Sequence, residues 1–513
     1  MCLPCLGVAA QGLSTPSETR GKQIYVKGTS PTGQKILAYF GEASLELPGS
    51  SMACGSCHGL DGRGKPEGGV EPSNVTWEAL TKPYDVVRPN GRKHPAYTER
   101  GLELAITRGI DPAGNKLLNV MPRYQMTRDD MSDLVLYLKR LGTDRDSGIS
   151  ENKIVIGLVL PGKGALAQLG QAVKAVNTAF FEGINSQGGI YNRHFELKFV
   201  ETAETPAATR VNVERFLRDE QIFALIGGFI AGSEKEFLEL TEQKGTPLIG
   251  PFTLYPQVGF PLNRQIFYLL SGPEGQARAL VDFAARKPET KTSGFTVVSS
   301  QNEVNANVIS AIAEQAKKNG LSKAQVHNYV SGGLDATVSV RTVKQIGRET
   351  VFFLGRAEEA QAFMREAATL NWFPWLYLSG ANSGRAIFDA PLGFSNRVFI
   401  PFPTSPADQT AEGTKEFRAL AERNKISGSH LASQILAYGG AKVLMEGLKR
   451  AGRDVSQEKL IIALESLDRF DTGLTPAITY GPNRRIGALG AYVVSVDLEK
   501  KQFVPVSQWI GID

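Results

Sequence analysis

The sequence predicts a multidomain chain in which a small all-α N-terminal domain precedes a larger α/β segment folded as two lobes. The chain has 513 residues, more than one domain of roughly 100–200 residues normally holds. All four cysteines fall within the first 57 positions. Predicted strands and helices alternate from residue 153 onward, and such alternation is typical of parallel sheets covered by helices.

The composition is that of an ordinary globular protein. Hydrophobic residues make up 42% and charged residues 21%, which excludes a wholly disordered chain. No run of 18 or more apolar residues occurs, so no membrane span is predicted. The net charge of +5 is spread along the sequence, and we therefore expect no nucleic-acid partner.

The N-terminus has the pattern of the second half of a secretory signal. An apolar stretch from Cys2 to Ala10 ends in the small residues V-A-A, but the positive segment that should precede it is missing. We therefore expect a signal peptide truncated in this sequence, residual or disordered residues 1–20, and a periplasmic location. Cys2 and Cys5 would be lost with the signal; the alternatives are lipid attachment at Cys5 and a metal or redox role.

The region 21–142 is rich in glycine, proline and polar turns and should form the first domain. Helices are predicted over 33–40, 97–108 and 127–141. In the last of these segments, apolar residues recur at near-helical spacing. A polar segment, 143–152, is expected to link this domain to the rest of the chain, 153–513.

Cys54 and Cys57 are followed directly by His58, which is the attachment pattern of a c-type haem. Two thiols with two residues between them can add to the two vinyl groups of one porphyrin, and the next residue can ligate the iron. A zinc half-site or a redox pair would share the Cys-x-x-Cys spacing. Zinc would need two more soft ligands, and a redox pair would adjoin a strand–helix unit rather than the glycine-rich stretch found here.

A sixth iron ligand should follow later in the chain. Met121 precedes a proline and a polar stretch before the third predicted helix, and its thioether would raise the reduction potential. Met126, His94 and Met52 are the alternatives. Arg63 and Arg123, and also Tyr124, could hydrogen-bond the haem propionates.

The strings ACGSCHGLDGRG, LELAITRGIDPAGNKLLNVMPRY and DLVLYLKRLG make residues 21–142 resemble a class I c-type cytochrome. The resemblance implies one covalent haem c, His58 and Met121 as axial ligands, and electron transfer rather than catalysis. The segment between Gly64 and Tyr97 is longer than in a minimal member. It is expected to cover the haem edge or to form a docking surface.

The second segment should contain two sheets in series, with the chain crossing between them near 270–272. The predicted strands are 153–160, 195–200, 222–226, 247–249, 294–298, 324–329, 350–354 and 376–378, and the predicted helices are 166–184, 207–218, 234–244, 306–319, 336–346 and 357–370.

The sequence contains the pattern of a dinucleotide-binding fingerprint, because G-x-G-x-x-A follows the first predicted strand and Glu201 ends the second. Pro161, however, separates that strand from the first glycine, and the helix begins only near Leu166. This geometry does not give the tight turn that brings backbone amides to a pyrophosphate. We therefore do not predict a nucleotide cofactor.

The strings IVIGLVLPGKGALAQLGQ, EGINSQGGIYNRHFELKFVE, KGTPLIGPFT and FDTGLTPAITYGPNRRIGALGAYVVSVD make residues from 153 to 510 resemble a periplasmic solute-binding protein of the branched-chain amino-acid type from ABC transporters. The resemblance implies two α/β lobes of the type I periplasmic binding fold joined by three crossovers. We expect one lobe from 153–271 with 386–450, and the other from 272–385 with 451–510.

The resemblance also implies a ligand site between the lobes, and this sequence departs from the family there. Ala231 stands where a carboxylate-binding serine is expected, with Ser233 two places on, and Thr253 is shifted by one position. Ser379 falls where the family has an ammonium-binding glutamate, and Arg356 replaces an aromatic residue. We therefore expect a small acid or a polar neutral compound, unless Arg356 only pairs with Glu358 or Glu359.

These expectations combine into three alternatives. The chain could be a periplasmic electron carrier that also binds a solute, with a redox partner such as a dehydrogenase. It could be the substrate-binding component of an ABC importer, docking on a permease, with an appended cytochrome. It could be a ligand-gated redox sensor. No G-x-S-x-G, H-E-x-x-H or Walker motif occurs, so we do not predict an enzyme.

Overall fold

In a computed structural model, the protein is described over residues 15–64, 71–88, 90–142, 145–259 and 261–512. Cys2, Cys5 and the predicted signal segment lie outside the described residues. The chain divides into two compact units, residues 1–145 and 146–513. None of the helices in the described part combines the length and apolar character needed to cross a bilayer.

The first unit is mainly helical. Its elements are α1 (Pro16–Lys27), β1 (Leu37–Phe40), β2 (Leu45–Pro48), α2 (Cys54–His58), α3 (Trp77–Leu80), β3 (Val86–Val87), β4 (Lys93–His94), α4 (Glu99–Arg108), β5 (Arg123–Gln125) and α5 (Arg128–Arg140). The two predicted helices that became α4 and α5 are confirmed. Their buried leucines share one core with Ile24 and Tyr25 of α1.

Two features of this unit differ from the sequence expectation. The helix expected over 33–40 is wrong, since Leu37–Phe40 is a strand that pairs antiparallel with both β2 and β5. Helix α1 was not predicted. Thr15 caps it, accepting from the Glu18 backbone N–H while the Glu18 carboxylate accepts from the Thr15 N–H.

The second unit alternates strands and helices as predicted. Its elements are β6 (Lys153–Leu160), α6 (Ala167–Ser186), β7 (His194–Glu201), α7 (Pro206–Asp219), β8 (Ala224–Ile226), α8 (Glu234–Lys244), β9 (Leu248–Ile249), β10 (Ile266–Leu270), α9 (Pro273–Ala284), α10 (Pro288–Ser293), β11 (Thr296–Gln301), α11 (Glu303–Lys318), β12 (Gln325–Val330), α12 (Ala336–Ile346), β13 (Thr350–Leu354), α13 (Ala357–Thr369), β14 (Trp375–Leu378), β15 (Val398–Phe402), α14 (Ala411–Arg423), α15 (Leu431–Ala451), α16 (Gln457–Glu465), β16 (Ile486–Ala488), β17 (Gly490–Asp497), β18 (Gln502–Pro505) and β19 (Ile510–Gly511).

The strands form two sheets, one in each lobe. The first has the order β16-β10-β9-β8-β6-β7, and its pairs are all parallel. The second has the order β12-β11-β13-β14-β15-β17-β18, with β19 also paired to β17. Its strands β11 to β15 are parallel, and β17 to β19 are antiparallel. The α/β two-lobed fold predicted from the sequence is confirmed.

The expected lobe limits need correction in two places. Residues 386–402 belong to the second lobe rather than the first, because β15 pairs with β14 and its Val398 and Ile400 lie in the second lobe's core. Residues 451–488 belong to the first lobe, because α16 buries Leu460 and Leu464 in the first core and β16 pairs with β10. Near the expected crossover at 270–272, β10 of the first sheet ends at Leu270, and α9 begins at Pro273 and packs in the second lobe.

The expected linker is shorter than 143–152. Ile149 forms a β-bridge with Ile154, and the Gly148 carbonyl accepts from the Val155 N–H at 2.8 Å. The Asp146 carboxylate accepts from the Gln457 N–H at 2.5 Å. Residues 146–152 therefore begin the second unit instead of spanning a gap before it.

Arg485 is a buried cation that joins three elements of the first lobe. Its side chain is 1% exposed, and Nη2 donates to Glu465 Oε1 at 2.5 Å. Nη1 donates to the Gly481 carbonyl at 2.7 Å. The guanidinium carbon lies 4.7 Å from the centre of the Phe267 ring. A guanidinium with these partners ties the segment that precedes β16 to α16 and β10.

We predict that Arg485→Met lowers the free energy of unfolding by about 3–5 kcal/mol, because it leaves the Glu465 carboxylate buried without its main partner. Urea denaturation followed by circular dichroism measures this. Arg469→Met is the control: Arg469 is 85% exposed, and its loss should cost less than about 0.5 kcal/mol. Equal effects of the two substitutions would contradict the role given to Arg485.

Candidate functional sites

Helix α2 consists of the C-G-S-C-H motif itself, so its two thiols lie three residues apart on one helical turn. His58 Nδ1 lies 2.8 Å from the carbonyl oxygen of Ser73. Because a carbonyl only accepts hydrogen bonds, Nδ1 carries the proton and Nε2 keeps its lone pair. Burial lowers the pKa of His58 and favours this neutral ring. The arrangement presents one nitrogen in the form that ligates iron.

Two buried tyrosines hold the ends of this motif. The Tyr25 hydroxyl donates to the Gly59 carbonyl at 2.7 Å, just after α2. The Tyr124 hydroxyl donates to the Met52 carbonyl at 2.5 Å, just before it. Tyr124 was expected to bind a propionate, but its hydroxyl proton is used here. Tyr25 was not among the predicted site residues, because it lies in α1, the helix that was not predicted.

The environment of the thiols does not suit the redox or zinc alternatives. Burial raises the pKa of Cys54 to about 12, so this thiol would be protonated and unreactive at neutral pH. Cys57 is exposed. Among the described residues, no group of three or more His, Cys, Asp and Glu side chains is placed to hold a metal. The donor set fits covalent haem attachment better than either alternative.

The four candidates for the sixth ligand differ in their packing. Met52 and Met126 pack against the core of the first unit. His94 is 2% exposed, and its Nδ1 donates to the Pro95 carbonyl at 2.8 Å. Met121 is half-buried and is not part of that core. Its thioether is therefore free of the packing role that occupies the other two methionines.

Arg123 positions the Met121 loop. One terminal nitrogen donates to the Met121 carbonyl, and the other donates to the Leu117 carbonyl at 3.0 Å. Both terminal nitrogens of Arg123 donate to backbone carbonyls here, and the propionate role expected for Arg123 stays a prediction. Arg63 is exposed, and its role toward a propionate stays a prediction.

In the second unit, the crossovers show which sheet edges face each other. Strand β10 ends at Leu270, and the chain then enters α9 of the other lobe. Strand β15 ends at Phe402, and the chain returns to α14. Both crossovers leave from the carboxyl ends of parallel strands, so these ends border the cleft. This edge is where open α/β sheets bind ligands.

The loops after β8 and β9 lie side by side at this edge. Phe229 and Phe252 form a β-bridge, and their rings stack with centroids 4.7 Å apart. The Ile230 N–H donates to the Phe252 carbonyl at 3.1 Å. These contacts bring the predicted residues Ala231 and Thr253 onto neighbouring loops.

Two hydrogen bonds link polar groups of these loops to their own lobe. Ser233 is buried at the start of α8, and its N–H donates to the Ile230 carbonyl at 2.7 Å. The Thr253 hydroxyl donates to Glu234 Oε1 at 2.7 Å. Ala231 is exposed. The first lobe therefore presents a carboxylate beside the loops that were expected to bind one, and sequence reasoning missed Glu234.

Arg356 follows β13 on the second lobe and begins α13. Its Nη2 lies 3.4 Å from Glu359 Oε1, while the arginine side chain is 63% exposed and the glutamate 7%. Burial opposes ionisation of Glu359, but hydrogen bonds from the Arg356 N–H, the Tyr329 hydroxyl and the Gly332 N–H lower its pKa. The ion pair with Glu359 thus exists, yet it leaves most of the guanidinium accessible.

Ser379 follows β14 and is half-buried. The Asn382 side-chain amide donates to its hydroxyl oxygen at 3.1 Å. A serine here, rather than an acid, gives the second lobe no side-chain anion at the end of β14.

Comparison with known proteins supports the division of the chain. The family model described as "Cytochrome c" matches residues 49–142. The "Leu/Ile/Val-binding protein homolog 3" of Brucella melitensis is 21% identical over 321 residues, which is 63% of this chain and 85% of that protein. A leucine-, isoleucine-, valine-, threonine- and alanine-binding protein of Pseudomonas aeruginosa is 20% identical over 324 residues, which is 63% of this chain and 85% of that protein.

Solved structures share the fold of the second unit. A putative branched-chain amino acid ABC transporter from Rhodospirillum rubrum has a TM-score of 0.57 at 16% identity and covers 69% of this chain and 100% of that one. A branched-chain amino acid ABC transporter from Thermus thermophilus with bound valine has a TM-score of 0.52 at 17% identity. The match covers 71% of this chain and 98% of that one. The family model described as "Periplasmic binding protein" matches residues 153–502, more than half of the chain. The chain therefore belongs to the periplasmic binding protein family and carries a cytochrome c domain ahead of its binding domain.

Proposed function

We propose that this is a periplasmic protein that carries electrons through one covalent haem c and binds a small organic solute in the cleft between its lobes. The hydrogen bond from His58 Nδ1 to the Ser73 carbonyl carries the electron-transfer half, because it prepares an iron ligand within the attachment motif. Cys54 and Cys57 would hold the haem, and His58 and Met121 would ligate its iron. The haem, when bound, supplies the one-electron couple.

The chain's own residues would keep this centre from reacting with substrates. If His58 and Met121 both ligated the iron, these two residues would leave no open position on it for bond-making chemistry. Arg123 holds the Met121 loop by its carbonyl oxygens. We therefore assign electron carriage, with a periplasmic redox partner such as a dehydrogenase, and no catalysis.

The charges at the cleft favour an organic acid that is oriented toward the second lobe. A carboxylate there would meet the exposed guanidinium of Arg356, which can bind it bidentately. A carboxylate at the first lobe would instead approach Glu234, whose Oε1 already accepts from Thr253. At Ser379, the position expected to bind the ammonium group of an α-amino acid, the chain offers a hydroxyl instead of a carboxylate. A polar neutral compound is the other class that fits.

A second candidate function rests on the similarity to the named Leu/Ile/Val-binding proteins. In it, the chain would be the binding component of an ABC importer for branched-chain or related amino acids and would dock on a permease, with the cytochrome as an appended domain. The two candidates differ in the ligand they require.

We predict that Met121→His lowers the midpoint potential of the haem, because imidazole stabilises the oxidised iron more than a thioether does. The visible spectrum should at the same time lose the weak red band of thioether ligation. Spectroelectrochemistry of the full chain measures both. Met126→Leu is the control, since Met126 packs in the core and should leave potential and spectrum unchanged. An unchanged spectrum in Met121→His would exclude Met121 as the ligand.

We predict that an organic acid binds the wild-type chain and that Arg356→Gln weakens it about 10–100-fold, the value of one hydrogen bond to a charged group. Isothermal titration with mono- and dicarboxylates, neutral polar compounds, leucine and valine tests this. Arg341→Gln, an exposed arginine on α12 of the same lobe, should bind like the wild type.

Two outcomes of this titration would count against the acid. Tight binding of leucine or valine that is indifferent to Arg356→Gln would support the importer function instead. Failure of every compound to bind would contradict a small-molecule role for the cleft.

A further inference from the structure

The first lobe places a carboxylate of its own where the family resemblance led us to expect the carboxylate of a ligand. Thr253 was the hydroxyl expected to bind that ligand group. In the structure it donates instead to Glu234 Oε1 at 2.7 Å. The same hydroxyl oxygen accepts from the Tyr255 N–H at 2.9 Å. The position for an anion beside this hydroxyl is therefore occupied by the side chain of Glu234.

Glu234 keeps hydrogen-bonding capacity for a positively charged group. It is half-buried at the start of α8. The contact with Thr253 uses Oε1, and Oε2 forms no hydrogen bond or ion pair with any other described residue. An ionised carboxylate accepts several hydrogen bonds, and those from a cationic donor are the strongest. The first lobe thus offers an acceptor for a ligand's ammonium group.

Arg356 supplies the opposite charge on the second lobe. Its guanidinium lies against the loop after β12, because a Cβ atom on Gly332 would lie 3.3 Å from Arg356 Nη2. The Glu359 carboxylate nearby also accepts from the Tyr329 hydroxyl at 2.9 Å and from the Gly332 N–H at 3.0 Å. Since Glu359 is shared in this way and the arginine side chain is 63% exposed, the guanidinium can pair with a second carboxylate.

The loops of the two lobes meet at the start of α9, directly after the first crossover. A Cβ atom on Gly272 would lie 2.4 Å from Pro256 Cδ, on the loop after β9. One turn further, a Cβ atom on Gly380, on the loop after β14, would lie 2.7 Å from the side-chain oxygen of Gln276. Because β14 pairs with β13, the loop that carries Arg356 adjoins this point. The negative and the positive group therefore belong to the two walls of one cleft.

We propose that the cleft binds an amino acid whose ammonium and carboxylate groups are separated by several carbon atoms, with the ammonium at Glu234 and the carboxylate at Arg356. This inference rests on the proposed solute site and names its ligand class. The two side chains belong to different lobes, so one ligand reaches both only if its charges are well separated. Leucine and valine carry both charges on one carbon atom. A dicarboxylate has the required length, but its second carboxylate would meet Glu234.

Isothermal titration of the full-length protein with chain-matched compounds tests the proposal. One series is δ-aminovalerate, δ-hydroxyvalerate, valerate and glutarate, and the other is γ-aminobutyrate, γ-hydroxybutyrate, butyrate and succinate. In the series that fits the cleft, we expect the amino acid to bind about 10–100-fold more tightly than the hydroxy acid, the value of one hydrogen bond to a charged group. The dicarboxylate should bind more weakly than the hydroxy acid, because its second charge is repelled.

Glu234→Gln removes the charge and keeps an oxygen for the Thr253 hydroxyl. It should weaken the amino acid about 10–100-fold and leave the hydroxy acid within about twofold of the wild type. Binding of the dicarboxylate should become tighter. Glu236→Gln is the matched control, because Glu236 is also half-buried in the first turn of α8 and residues two positions apart do not face each other on a helix. It should bind every compound like the wild type.

A wild-type chain that binds the dicarboxylate or the hydroxy acid as tightly as the amino acid in both series would overturn the proposal. So would equal effects of Glu234→Gln and Glu236→Gln. If Glu234→Gln does not fold, the ranking of the compounds by the wild type decides alone. Binding of acids that depends on Arg356 but not on Glu234 would leave the proposed function standing and reject this ligand class. Failure of every compound to bind would contradict the proposed function itself, which keeps the two failures distinct.

Discussion

A guanidinium taken out of water needs an anion or a set of carbonyl oxygens, and this constraint organises both units of the chain. Arg485 and Arg92 each meet a buried carboxylate. Arg123 is satisfied by the backbone around the proposed axial methionine. Arg356 departs from this pattern, because its side chain is largely exposed. It lies where a bound carboxylate is proposed, so the same electrostatic requirement extends to the solute cleft.

Chain topology determines which loops can share a ligand in the second unit. The loops after β8 and β9 in one lobe, and those after β13 and β14 in the other, all follow the carboxyl ends of parallel strands, the edge from which the crossovers leave. The stacked Phe229 and Phe252 fix the two loops of the first lobe to each other. The second lobe places Arg356 at the start of a helix whose Glu359 is anchored from three sides. Closure would then change the distance between lobes more than the shape of either half-site.

The sequence predicted most where the pattern is periodic or the motif is chemically specific. Alternating strands and helices gave the two-lobed fold, and the Cys54–His58 spacing gave the haem motif. It failed where tertiary pairing overrides local preference: residues 37–40 became a strand because β2 and β5 flank them. Residues 386–402 were placed in the wrong lobe, because a short apolar run contains no local signal for the sheet that it will join. Glu234 was missed for the same reason, since its role depends on a neighbour, Thr253, that lies on another loop.

The Met121 loop shows how far such a dependence can extend. Helix α4 ends at Arg108, and Gly109 caps it with a φ of +64°, a conformation that glycine adopts without the strain of a side chain. A Cβ atom at this position would lie 1.9 Å from Arg123 Nε, so any larger residue would displace the guanidinium. That guanidinium holds the carbonyl oxygens of Leu117 and Met121. The position of the proposed axial thioether thus depends on the absence of one methyl group at the end of a neighbouring helix, a constraint visible in the sequence only as one glycine among many.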